Sequence, residues 1–509
     1  MSATDSNTTP AHRNLYLILL GIGVLWYALF RLIVPLASTP YMAGPMNGND
    51  FKHIYIGSQM LAHGEDPYDP RALFDAAGSW GFQSLNPYVY LPFTGLVLSP
   101  LTLLDPIQAL RAWFILNHLM AMGAVALLAW SLRRKTHLLP ILTAGVLLLA
   151  FSSPWRRTLA AGQLNAVLLS GMALVFFFVS RKRPVPAGIV AAFCFLFKLW
   201  PGILLVYFGW RMLGEYRSGR RDEARFFAIA LVTMLLASAA FLLASVALVG
   251  VEQHKAFLPL LREMSYGQST WWQLGNQFYR DPYNQSFNAL LHHLLVPADT
   301  FRPWFEASPA MANLLTRIAV CVVAALVAWR SFSWRGRRLD EPIVYSIYVI
   351  GALLVPSIYW DHYAVLLLIP LLAIFARQSS AACLAMLAMF LLLIFPTHFS
   401  GEILFQLAPH MGMSVEGYYT ALIVLQIVSI LCAGIIAFMA MRKPYCNSSA
   451  AILWAVGAAL IHLMVPYSHG ALKSGVGLLL MSSALWGTIL VLGVCLWQVR
   501  ERGRGEENV

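Results

Sequence analysis

Residues 15–36 read LYLILLGIGVLWYALFRLIVPL, and the fold follows from how this stretch is understood. It is apolar and long enough to cross a bilayer, whose hydrocarbon core takes about 20 helical residues. It is too long for the apolar core of a typical cleaved signal, and His12-Arg13 precede it. The reading is an uncleaved first span with the N-terminus in the cytoplasm. Runs of the same kind recur along nearly the whole chain of 509 residues.

Composition agrees. Hydrophobic residues make up 59% and charged residues only 11%, against about 25% charged in a soluble globular domain. An ordinary soluble enzyme is excluded. So is a disordered chain, because 13% of residues are aromatic and a solvated coil is poor in them. The predicted fold class is an all-α polytopic membrane protein with about 12–14 transmembrane helices and two long loops carrying juxtamembrane helices.

The net charge of +12 would suggest nucleic acid in a soluble chain. Here the cations sit in short clusters between apolar runs, such as Arg133-Arg134-Lys135, Arg181-Lys182-Arg183 and Arg442-Lys443, which mark cytoplasmic loops. No nucleic-acid partner is expected. Of the six cysteines, five lie in apolar runs, and no C-x-x-C pair exists. Disulfides and thiolate metal sites are not expected.

An even number of crossings must separate neighbouring cytoplasmic clusters. This pairs 138–153 with 163–180, 226–250 with 311–329, and 342–358 with 363–376. Further pairs follow in 380–399 with 417–441 and 449–465 with 475–498. The stretch 185–213 is short for two crossings, and Pro201 at its middle predicts a broken hairpin turning outside near Lys198-Leu199-Trp200-Pro201. Span 107–132 is a crossing, and 90–104 reads as an outer juxtamembrane or re-entrant helix. Fourteen crossings result, with twelve equally compatible. The loops 37–106 and 251–310 then lie outside.

Chemistry must come from these outer segments. Asp50 lies shortly beyond the first span, where a carboxylate can act as general base toward a hydroxyl; the alternative is a cap on a surface helix. The same loop carries Tyr68 and Tyr90, candidates for sugar or acceptor contact. Arg156 and Arg157 fall in a short outer turn, Lys198 ends a short helix, and Arg31 lies near the outer end of the first span. Cations at membrane depth are costly and often functional; here they suit a lipid-linked phosphate, or else snorkel to headgroups. Gln163 and Asn165 follow the arginines and either bind sugar hydroxyls or seek a partner helix. Trp360-Asp361-His362 occupy another outer turn, where Asp361 and His362 could hold a sugar, a phosphate or a proton, or form a simple Asp-His pair in an aromatic belt. The second loop carries Trp271-Trp272, Asn276, Asn284 and Gln285, amides and aromatics that suit carbohydrate. Asn284-Gln285-Ser286 also matches a glycosylation triplet. No metal is expected: His292-His293 are adjacent rather than at ligand spacing. No Walker loop, no GxGxxG and no Asp-x-Asp are present, and no cofactor is expected.

In order, Asn49-Asp50-Phe51, Asp66-Pro67-Tyr68-Asp69-Pro70, Tyr90-Leu91-Pro92, Gly162-Gln163-Leu164-Asn165, Lys198-Leu199-Trp200-Pro201, Asn284-Gln285-Ser286 and Trp360-Asp361-His362 resemble the GT-C integral-membrane glycosyltransferases. The likeness is to the bacterial polyprenyl-phosphate-mannose-dependent α-1,2-mannosyltransferases, over roughly residues 15–399. Tyr363 is a departure, because relatives often carry a second histidine there. The resemblance implies a catalytic module over 15–399 followed by C-terminal helices over 400–498, with cytoplasmic tails at 1–14 and 499–509. It implies a multi-pass protein of the bacterial inner membrane with its site facing the periplasm or cell exterior. It also implies a polyprenyl-phosphate sugar donor, a glycan or glycolipid acceptor, and Asp50 as base for an inverting displacement. Arg156, Arg157, Lys198 and His362 would bind the donor phosphate. A transporter or flippase of lipid-linked sugars, and an O-antigen polymerase or ligase, are the competing classes. Span centres almost free of acids favour the enzyme, since transporters bury charges at the midplane.

Overall fold

The computed structural model describes residues 10–37, 49–82, 85–133, 138–268, 284–297, 306–332 and 339–376, with eight positions between 485 and 496. Trp271-Trp272, Asn276, the spans expected at 380–399, 417–441 and 449–465, and most of 475–498 lie outside the described residues. Among the described residues the chain is helical throughout and contains no strand. One isolated antiparallel bridge joins Asn284 to Trp360. The protein is an all-α polytopic membrane protein.

The first helix, α1 (Pro10–Tyr27), runs on through a π-turn (Ala28–Ile33). Helices α2 (Asn49–Ala62), α3 (Pro70–Ser79) and α4 (Pro92–Leu98) follow, and α5 (Pro106–Leu132) is a full-length span. Asp69 caps α3 by accepting from Arg71 N, and Asp105 caps α5 by accepting from Ile107 N and Gln108 N. In both, proline occupies the first turn, where its missing N–H costs no helical bond. Cap and proline together fix the start of a helix that could otherwise begin anywhere in an apolar sequence.

Then come α6 (Leu138–Phe151), α7 (Ser153–Ala161), α8 (Asn165–Ser180), α9 (Pro184–Phe197), α10 (Ile203–Arg217) and α11 (Arg221–Val249). The broken hairpin expected over 185–213 is present: Lys198 is extended and Trp200–Gly202 forms a 3-10 turn between α9 and α10. Helix α9 packs closely along α11. A Cβ on Gly188 would sit 2.5 Å from the Ala230 carbonyl oxygen, so only glycine lets these backbones approach so far. The remaining helices are α12 (Val251–Glu263), α13 (Phe287–Leu295), α14 (Pro309–Ser331), α15 (Glu341–Leu354) and α16 (Leu368–Phe375), the last preceded by a 3-10 helix (Asp361–Leu367).

Among the described residues four helices are long and apolar enough to cross a membrane: Arg13–Ala37, Pro106–Leu132, Arg221–Val249 and Pro309–Ser331. A fifth span forms if α6 and α7, bent by 56°, are counted together. Four of the fourteen crossings expected from sequence fall wholly or largely outside the described residues, and some of the other expected crossings form shorter helices. Helices α8, α9 and α15 have 16, 14 and 14 residues, reaching only about 21–24 Å at 1.5 Å per residue, short of the ~30 Å hydrocarbon core.

Two segments differ locally from their sequence reading. The outer turn expected around Arg156-Arg157 is helix α7, capped by Ser152, which accepts from Trp155 N. The juxtamembrane helix expected over 90–104 is short and ends in a 3-10 turn (Ser99–Leu103), because Pro100 cannot continue the α-helical hydrogen bonding.

Candidate active site

Segments far apart in sequence meet at one end of the bundle around a cavity of about 650 Å³. Its wall takes Asp50 and His53 from α2, Asn86 and Tyr90 from the extended stretch before α4, and Arg157 and Gln163 from α7 and the turn after it. Lys198 and Trp200 come from the α9–α10 break, Phe257 and Met264 from α12 and its end, and Ser357, Trp360, His362 and Tyr363 from the strip after α15.

Asp50 lies in the first turn of α2. Asn86 Nδ2 donates to one carboxylate oxygen at 2.6 Å and Gln163 Nε2 donates to the other at 2.5 Å. Each carboxylate oxygen accepts about two hydrogen bonds, so the amides fix the group's plane and leave accepting capacity for an incoming hydroxyl. Gln163 is presented by Gly162, which ends α7 at φ +69. A Cβ there would lie 2.6 Å from Phe51 Cβ, so glycine serves both the left-handed backbone and the close approach of the Asp50 helix.

His53 is one turn beyond Asp50. It is buried and stacks on Tyr90 with centroids 5.9 Å apart and planes 7° from parallel. Tyr90 is braced from behind, since Tyr68 Oη donates to its carbonyl at 2.8 Å. On its other flank Lys198 Nζ lies 5.5 Å from the Tyr90 ring centre and 4.0 Å from that of Tyr363. The ammonium is buried and makes no hydrogen bond to any described residue. Burial pushes this lysine down to about 7, with the charge of Asp50 opposing the shift.

Arg157 pairs with Asp361, whose side chain is 8% exposed against 24% for the arginine. Burial alone would raise the Asp361 carboxyl, but the Arg157 charge and the polar contact of His362 beside it hold it below the ordinary carboxylate range. His362 Nδ1 lies 3.5 Å from Asp361 Oδ1, and burial lowers the imidazole despite both neighbouring carboxylates. The ring is therefore neutral near pH 7, and its Nε2 has no hydrogen-bond partner among the described residues.

Replacing Arg157 by methionine leaves a buried carboxylate without its cation, a change that typically costs about 3 kcal/mol. The single variant Arg157→Met is expected to melt lower in detergent than the double variant Arg157→Met/Asp361→Asn. A thermal-shift series on the purified proteins checks this.

Of the residues expected at the site, Asp50, Tyr90, Arg157, Gln163, Lys198 and His362 share the cavity wall. Asn276 lies outside the described residues, and the other described ones do not line it. Arg156 is half-buried on α7, outside the wall. Tyr68 supports Tyr90 from behind. Asn165 is fully buried and donates to Thr158 Oγ1 and to the His362 carbonyl, both at 3.2 Å. Asn284 and Gln285 are buried against the strip before His362: Asn284 Oδ1 accepts from Tyr359 N at 3.0 Å, and Gln285 N donates to Tyr359 O at 2.6 Å. Asp361 holds Arg157. His53, Asn86, Trp200, Trp360 and Tyr363 line the cavity and were not among the expected site residues. The spacing of Asp50 and His53, three apart in one helix, would have placed them on one face.

Apolar helices thus enclose, at one end, an amide-held carboxylate and two basic side chains. The profile of Glycosyltransferase family 87 matches residues 88–360, more than half of the chain, and the protein belongs to that family: it is a membrane glycosyltransferase. The match spans Tyr90, Arg157, Gln163 and Lys198, while Asp50 precedes it and Asp361-His362 follow it. No curated protein and no solved structure matches the chain.

Proposed function

We propose that this glycosyltransferase moves a single sugar, mannose by the resemblance of its motifs, from a polyprenyl-phosphate donor to a hydroxyl of a glycan or glycolipid. The reaction takes place at the outer face of the bacterial inner membrane. The observation that carries the reading is the meeting of Asp50, Lys198 and Arg157 in one cavity walled largely by apolar and aromatic side chains.

Asp50 accepts the proton of the acceptor hydroxyl as that oxygen attacks the anomeric carbon. The new C–O bond forms as the bond to the phosphate oxygen breaks, with inversion, and the lipid phosphate leaves with the electron pair. A phosphate monoester is a weak base, so no general acid is required. What the leaving group needs is charge neutralisation in a site poor in water, where such contacts count most. Lys198 and Arg157 supply it. A phosphate beside His362 raises that ring's proton affinity, and protonated Nε2 then donates to a phosphate oxygen. The motif order, the basic clusters on the opposite loops and the aromatic stacking of His53 on Tyr90 support this assignment.

Purified protein in lipid nanodiscs, given polyprenyl-phosphate mannose and a panel of polyprenyl-phosphate hexoses with membrane glycolipid extract, is expected to yield a product one hexose heavier by mass spectrometry, with free polyprenyl phosphate released. Movement of labelled donor across proteoliposomes without any covalent product would replace the enzymatic reading with a flippase.

A further inference from the structure

Asn284 reads in the sequence as a sugar-binding amide, yet in the fold its amide is spent on backbone. We infer that Asn284 is a positioning residue that sets the Asp361–His362 end of the phosphate site through the backbone before it. The inference rests on the phosphate-binding reading proposed for this cavity.

Between α15 and the 3-10 helix beginning at Asp361, the chain bends through residues 355–357 and then runs without helical hydrogen bonding to Trp360. Apart from the single bridge of Trp360 to Asn284, such a segment has no helix or sheet to satisfy its backbone groups, which burial makes costly to leave unpaired. Residues 264–266 and 284–288 supply the partners. Ser357 O accepts from Ser286 Oγ at 2.7 Å, Asn288 Nδ2 at 3.3 Å and Asn284 Nδ2 at 3.4 Å. Asn284 Oδ1 takes Tyr359 N at 3.0 Å and Ser286 N at 3.2 Å, so one amide oxygen ties both strips. Tyr266 Oη donates to Val355 O, and Ser357 Oγ to Met264 O. Asn284, Ser286 and Asn288 are each 3% exposed or less, and Asn284 is absent from the cavity wall. With its amide so occupied, Asn284 has neither a role for a sugar hydroxyl nor the access that modification of the Asn-Gln-Ser triplet would need.

Asp361 follows Trp360 directly, so any slackening at Tyr359 and Trp360 reaches the carboxylate that holds Arg157 and the ring of His362. Loss of the clasp is therefore a loss of phosphate binding, with sugar choice untouched.

The test uses the full chain in nanodiscs. Asn284→Ala is expected to raise the donor KM about tenfold with kcat within about threefold. It is also expected to weaken binding of unsubstituted polyprenyl monophosphate by the same factor, and to leave the ratio of kcat/KM for two donor sugars unchanged. Tyr266→Phe removes one hydroxyl from the same clasp and is expected to act in the same direction by about threefold; it decides the matter if Asn284→Ala does not fold. A changed sugar ratio, or monophosphate binding equal to wild type in the folded variants, would overturn the inference. If wild-type protein binds no polyprenyl monophosphate, the functional reading fails instead. Hydrogen exchange over residues 355–363 then decides the clasp alone: faster exchange in the variants sustains it, and unchanged exchange refutes it.

Discussion

Asp50→Asn is expected to bind donor and acceptor with near wild-type affinity and to turn over about 1,000-fold more slowly, within the range a positioned general base supplies. Asparagine preserves the size of the side chain and can still meet both neighbouring amides, its oxygen accepting from Asn86 Nδ2 and its NH2 donating to Gln163 once that amide turns its Oε1 inward. What it cannot do is take a proton from the acceptor. Single-turnover transfer and a separate donor-binding measurement on the same preparation separate chemistry from binding. Turnover within about tenfold of wild type would remove Asp50 from the mechanism and leave the carboxylate a structural link between α2 and the turn after α7.

The second large effect concerns Lys198. Substituting methionine is expected to lower kcat/KM for the donor about 100-fold, as loss of one preorganised donor to a developing anion does. The pH dependence is more diagnostic. Lys198 lies in the break between α9 and α10, and burial lowers it to about 7, against about 10.4 for a lysine in the unfolded chain. Between those values the unfolded chain holds more protons, so the contribution of this group to folding stability rises with pH. Phosphate binding runs the other way, because it needs the ammonium form. The profile of kcat/KM is expected to fall as pH rises through about 7. The profile of kcat is expected to fall at higher pH, because bound phosphate stabilises the charge. Lys198→Arg keeps its proton at all accessible pH and is expected to abolish the alkaline limb. An alkaline limb unchanged in that variant would assign the titration to another group.

The class of fold and the membrane context are legible in the sequence because apolar run length and charge clustering act over whole segments. The gathering of polar residues at the tips of apolar runs was legible for the same reason, and Asp50, Arg157, Lys198 and His362 do line one cavity. Other features were less legible. An amide that binds a sugar and one that satisfies a buried backbone look alike in sequence, and Asn165 and Asn284 proved to be of the second kind. Arg156 and Arg157 are adjacent, and only the rotation of α7 turns one of them toward Asp361. That α7 is a helix at all was signalled by Ser152 and Pro154, a cap followed by a proline in the first turn. Short helices such as α8 and α9 are apolar throughout, so hydropathy could not distinguish a full crossing from a shorter buried helix.

The most direct test is a cryo-electron microscopy structure with a polyprenyl-phosphonate mannose that cannot be cleaved. The account predicts phosphonate oxygens within about 4 Å of Lys198 Nζ and the Arg157 guanidinium, with the anomeric carbon facing the side of the cavity that holds Asp50. A headgroup seated outside this cavity, or one whose sugar lies on the far side of the phosphonate from Asp50, would contradict it.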